Sequence, residues 1–151
     1  MCGIAGIIGS FETSDIDTFK IALSHRGPDR QLSFKKKEFC FIHSLLKIMD
    51  LSDQSLQPMI DENTGNVIIF NGSIYNYKDL KGSYFQNEKF KSKTDTEILL
   101  KMYQKFGLSF LNYLKGMYAF ALFDKKKNKI FIFRDKFGIK PLFYFSKLEF
   151  F

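Results

Sequence analysis

The 151-residue sequence has no tryptophan, only three prolines, and just two cysteines and two histidines. Two cysteines, Cys2 and Cys40, cannot build a disulfide framework, and their scarcity fits a reducing compartment. His25 and His43 stand at no spacing that suggests a metal site, and Cys40 reads as a core residue. No apolar run approaches the roughly 20 residues that span a bilayer. The N-terminus lacks the basic-then-apolar order of a secretory signal. These absences predict a cytoplasmic chain held together by an ordinary apolar core. The length suits one domain.

What is present is 45% hydrophobic and 26% charged, the balance of a globular protein. Nineteen Phe and seven Tyr read as a compositional leaning toward Phe and Lys, with no special aromatic function. The net charge of +7 admits an anionic partner. The basic residues are scattered, however, and the dense runs at 35–37 and 125–127 lie between apolar stretches, where solvated turns belong. A nucleic-acid surface needs one basic face or a binding motif, and neither is found.

Hydropathy patterning sets out the elements. Residues 2–8, apolar and broken by Gly3 and Gly6, read as a buried strand closely approached by other backbone. Ser14 is the expected cap of a helix over 15–24 that turns Ile16, Phe19, Ile21 and Leu23 inward. His25-Arg26-Gly27-Pro28-Asp29 is a loop. Residues 39–49 supply one or two strands, 51–66 a loop, and 67–70 a strand running into Asn71-Gly72. Thr94 and Glu97 fit a capping box. The helix it opens buries Ile98, Leu99, Met102, Tyr103 and Phe106, and Gly107 ends it. A short helix over 109–114 follows, then a hairpin of 118–123 and 130–133, then a strand at 142–145. Strands and helices do not alternate strictly, so the expected class is antiparallel α+β.

Three places can carry chemistry. If Met1 is trimmed, Cys2 holds a thiol and a free α-amine on one residue. An α-amine titrates near 7.7–8.0, so part of it is neutral at pH 7 and can act as a base for the thiol. A small residue in a buried strand is an equal alternative at this point. Asn71 and the N–H of Gly72 can donate to an oxyanion, although Asn-Gly after a strand is more often a turn. Asp95 can meet an ammonium, although an acid at a helix start is ordinary.

Together the blocks resemble one family. They are Met1-Cys2-Gly3-Ile4-Ala5-Gly6-Ile7, His25 to Asp29, Gln57-Pro58-Met59, Asn71-Gly72-Ser73-Ile74-Tyr75-Asn76, Thr94 to Glu97, Gly116 to Asp124 and Arg134 to Leu142. In this order they resemble the glutamine-hydrolysing (class II amidotransferase) domain of asparagine synthetases over nearly the whole chain. The resemblance implies a four-layer αββα N-terminal nucleophile sandwich spanning 2–151, with Cys2, Asn71 and Gly72 catalytic. It implies glutamine binding by Asp95 and by the segment Leu45, Leu46, Lys47, Ile48, Met49, together with Ser73. Leu45 stands where the family has an Arg for the α-carboxylate, and Ser73 where it has a Glu. The sequence stops at Phe151, where the family continues. The expectation is therefore an incomplete domain with no synthetase part. No cofactor belongs to this chain, and ATP and Mg belong to the synthetase domain. The partners implied are L-glutamine and a synthetase domain or protein that accepts ammonia, with neither nucleic acid nor membrane; homodimerisation is left open. The competing readings are an impaired or altered-specificity relative and a basic binding module.

Overall fold

The computed structural model describes residues 2–46 and 55–146. Among these, β1 (Gly3–Ile8), β2 (Arg30–Lys35) and β3 (Phe39–Leu45) form a sheet in the order β1-β3-β2. A second sheet, ordered β4-β5-β6-β7, contains β4 (Met59–Ile60), β5 (Val67–Ile74), β6 (Gly116–Asp124) and β7 (Lys129–Arg134). Every pairing is antiparallel. The helices are α1 (Thr13–Leu23), α2 (Tyr77–Tyr84) and α3 (Asp95–Phe106), with 3-10 turns at Ser24–Arg26 and Gly107–Tyr113.

Strand periodicity sorts the side chains into separate cores. Even positions of β3, Cys40 and Ile42, pack with Ile16 and Leu23 of α1. Odd positions, Phe39 and Phe41, meet Val67 and Ile69 of β5 and Phe123 of β6. The opposite face of the second sheet, with Ile68, Phe70, Phe120 and Leu122, packs on Ile98, Leu99 and Met102 of α3 and on Phe110. The layers therefore run helix, sheet, sheet, helix, in agreement with the expected α+β sandwich.

Several expected elements differ. The first helix is capped at Glu12, whose N–H donates to Asp15 Oδ2 at 2.8 Å, so Ser14 lies inside the first turn. Only Ile16 of this helix is fully buried, while Phe19 and Ile21 are 40% and 75% exposed. A helix on a narrow three-stranded sheet has one stripe covered. Glu97 does not close a box with Thr94. Its carboxylate instead accepts the N–H groups of Lys91 and Ser92 at 3.0 and 2.7 Å, tying down the preceding loop. Gly107 does end α3, at φ 56°. Residues 142–145 are not a strand: Phe143, Tyr144 and Phe145 are exposed, and no neighbouring strand pairs with them among the described residues. Asn71-Gly72 is not a turn but lies inside β5.

Candidate active site at one end of the two sheets

Cys2 immediately precedes β1, partly buried, with its thiol directed at Leu46 O at 3.8 Å. Gly3 pairs with Ser44, so the register extended by one residue sets Cys2 opposite Leu45. Ile4 faces the layer between the sheets. Alternation along the strand turns Cys2 to the same side. Gly3 is closely packed: a Cβ there would lie 3.0 Å from Arg26 Cβ and 3.1 Å from Leu23 Cδ2, so these side chains would have to give way. Arg26 is thereby held beside the thiol-bearing residue. Gly27 is pressed on the Ser44–Leu45 backbone, and Asp29 N–H donates to Leu45 O at 3.1 Å. The loop after α1 is pinned to the end of β3.

Asn71 comes from the other sheet. It is 8% exposed and shares its face of β5 with Val67 and Ile69, the face turned toward β3. The Phe39 ring lies tilted against that of Phe123, the partner of Val67. Moving from there along β3 leads to Leu45 and Cys2, and moving along β5 leads to Asn71 and Ser73. Gly72 packs so tightly on β6 that a Cβ would collide with Met117 O.

The N–H groups of β5 alternate between its two edges. Strand β4 reaches only Val67 and Ile68, so the edge beyond is open. There Phe70 N–H donates to Gln57 Oε1 at 2.6 Å, and Ile74 N–H to Asp95 Oδ2 at 2.8 Å. The ladder aims Gly72 N–H at the same edge, between these two.

Asp95, the first residue of α3, is 4% exposed. Burial raises its pKa, opposed by backbone N–H groups of Ile74 and of its own helix start. Across β6, Asp135 accepts the N–H groups of Tyr118 and Lys140 at 3.2 and 2.9 Å. Lys140 is 3% exposed and close enough to Arg26 and Cys2 to feel their charges. Burial and then Arg26 lower its pKa, while Asp135 and Cys2 act in the opposite sense. This couples the loop that follows β7 to the thiol end of the first sheet.

Cys2, Leu45 and Leu46 thus lie together at one end of the first sheet, and Asn71, Gly72 and Ser73 follow one another on β5 of the second. Leu45 is buried, and Ser73 shares the face of Asn71. Lys47, Ile48 and Met49 lie outside the described residues. Sequence reasoning had no site role for Gln57, Asp135 or Lys140. Their motif blocks were visible, but only the fold shows what each side chain touches.

A family model described as a glutamine amidotransferase domain matches residues 1–150. Asparagine synthetase 2 (glutamine-hydrolyzing) of Bacillus subtilis (strain 168) is 42% identical over 95% of this chain and 20% of the relative. The putative asparagine synthetase 2 (glutamine-hydrolyzing) of Methanocaldococcus jannaschii is 38% identical over 96% of this chain and 32% of the relative. Asparagine synthetase B (glutamine-hydrolyzing) of Escherichia coli (strain K12) is 35% identical over 95% of this chain and 26% of the relative. The chain therefore spans a fifth to a third of the length of these relatives. Among solved structures, the glutamine phosphoribosylpyrophosphate amidotransferase from B. subtilis, complexed with ADP and GMP, superposes with TM-score 0.72 at 21% identity. That match covers 91% of this chain and 38% of that one, and establishes the shared fold.

Proposed function

Since the chain belongs to the glutamine amidotransferase domain family, we propose that it hydrolyses glutamine with Cys2 as nucleophile and supplies ammonia for asparagine synthesis. After removal of Met1, the Cys2 α-amine takes the thiol proton as sulfur attacks the side-chain amide carbon of glutamine. The carbonyl oxygen becomes an oxyanion held by the Asn71 side-chain amide and Gly72 N–H. Collapse breaks the carbon–nitrogen bond, and the ammonium at Cys2 returns its proton to the leaving ammonia. Water then attacks the thioester, giving glutamate and the free thiol. The ammonia passes to a synthetase domain or protein for ATP-dependent amidation of aspartate.

The observation that supports this reading most is that Cys2 leads into one sheet and Asn71 lies on the face of β5 turned toward that sheet, with Gly72 N–H on an open strand edge. Preorganised donors at such a point stabilise charge that develops only during reaction. Asp95 receives the α-ammonium of glutamine. Burial penalises its carboxylate, and an incoming cation relieves that penalty. Leu45, Leu46 and Ser73 line the pocket. Leu45 offers no donor to the α-carboxylate, so glutamine is held weakly; an arginine contact there is charged and bidentate.

The test is glutamine hydrolysis by the chain, read as glutamate and ammonia in equal amounts. Cys2→Ala should abolish it while the circular dichroism spectrum stays unchanged. Leu45→Arg should lower KM about tenfold or more, the scale of one recovered charged contact. Turnover by Cys2→Ala, or a retained Met1 in active protein by intact mass, would sink the mechanism.

A further inference from the structure

We propose that Gln57 is a positioning residue, which sets the Gly72 N–H as an oxyanion donor by tying the open edge of β5 to the first turn of α3. This rests on the reading of Gly72 given above. Gln57 is 5% exposed and uses both ends of its amide. Its Oε1 accepts Phe70 N–H at 2.6 Å, and its Nε2 donates to Thr96 Oγ1 at 3.2 Å. Thr96 is 2% exposed and adjoins Asp95, whose carboxylate accepts Ile74 N–H at 2.8 Å. The same turn of α3 therefore grips β5 two residues before and two residues after Gly72. The N–H between them is left pointing at the edge, held at a fixed angle on both sides.

The chemistry calls for a glutamine. Phe70 N–H needs an acceptor, and the Thr96 hydroxyl is met by a donor; a primary amide provides both in one side chain. Glutamate keeps the acceptor but loses the donor, and adds negative charge near the developing oxyanion. Methionine has neither strong group. A side chain that only plugged an open strand edge would affect stability and leave the turnover of folded protein unchanged. One that orients an oxyanion donor affects turnover in particular, because a small displacement near the reacting atoms costs about 10²-fold.

The experiment compares the wild-type chain with Gln57→Met and Gln57→Glu. It uses glutamine turnover, inhibition by the aldehyde analogue of glutamine, and amide NMR of β5. The aldehyde forms a tetrahedral adduct with a thiol, so its affinity reports the oxyanion donors. The expected result is a kcat about 10- to 100-fold lower with KM within about twofold, and aldehyde inhibition weakened by a similar factor. The Gly72 amide resonance should shift and exchange faster, while those of Asn71 and Ser73, bonded to β6, stay in place. A folded variant with unchanged kcat and an unmoved Gly72 amide overturns the proposal. Should the Gln57 variants not fold, Thr96→Val decides. It keeps the Phe70 bond and releases the other end of the amide, so a fall in kcat with a shifted Gly72 amide supports the role, and no change in either overturns it. If the wild-type chain does not hydrolyse glutamine, the functional reading fails by itself. The dependence of the Gly72 amide on Gln57 still decides whether the brace exists.

Discussion

His43 lies on β3 between Phe41 and Leu45, 1% exposed, with no hydrogen-bond partner for Nε2. Burial lowers its pKa from 6.5 to about 4. The folded value is below the unfolded one, so between them the unfolded chain binds more protons. The neutral imidazole's contribution to stability is complete above about pH 6.5 and drains away as pH falls toward about 4. From about pH 7.5 to about pH 5 this amounts to about 2 kcal/mol. His43→Phe removes both the titration and an unpaired buried nitrogen, and an apolar replacement of similar shape is often tolerated. The wild-type urea midpoint should be lower at the acid pH than at the neutral one, while the variant's two midpoints should differ little. An equal acid loss in both proteins would assign the effect to other groups. The sequence excluded a metal role for this residue on spacing alone, but its orphaned nitrogen emerges only from the packing. Gly72 is a similar case. Asn-Gly permits a turn or an in-strand glycine, and the choice depends on Met117 and Tyr118, which lie far away in sequence.

At the scale of elements, the loop after β7 is organised by one carboxylate. Asp135 accepts N–H groups from Tyr118, Phe137, Ile139 and Lys140. Arg134 closes the loop through Gly138 O and Lys140 O at 2.7 and 2.8 Å, and Gly138 takes φ 65°. Burial alone would raise the Asp135 pKa, but the N–H groups outweigh it and the net shift is downward. Asp135→Ala leaves several donors to find water or remain unpaired, a loss of about 2–4 kcal/mol. The urea midpoint at neutral pH measures it, and a change under about 0.5 kcal/mol would mean that the loop does not depend on this carboxylate. The hairpin and α3 were legible because their apolar positions repeat over long stretches. Helix α2 was not: it has eight residues and only Leu80 buried, so it presents no stripe. Strand β2 was missed too, since its four inner positions are all half-buried and carry no strong alternation. In α1 the apolar residues were visible, but the width of the sheet beneath decided that Ile21 faces water.

The whole molecule joins two halves of a proposed site across one thin apolar layer. Cys2 belongs to the first sheet, and Asn71 and Gly72 to the second. Between the sheets Phe39 meets Phe123 at 4.6 Å and Phe41 at 4.9 Å. The outer core is separate: Phe110 packs on Phe120, Phe133 and Tyr103 between the second sheet and its helices. The antiparallel α+β class was readable from element order and the four layers from the resemblance, but the partition of side chains between the cores was not, since it depends on which face of β3 and β5 each residue takes. This partition separates stability from alignment. Phe39→Leu and Phe110→Leu remove the same atoms from fully covered sites, each at about 1–3 kcal/mol. Both should lower the urea midpoint by similar amounts. Only Phe39→Leu loosens the spacing between thiol and oxyanion donors, so under conditions where both variants are folded it should lower kcat about tenfold or more. Phe110→Leu should leave kcat near the wild-type value. Equal kcat losses in the two variants would mean that the inter-sheet layer has no special part in aligning the site.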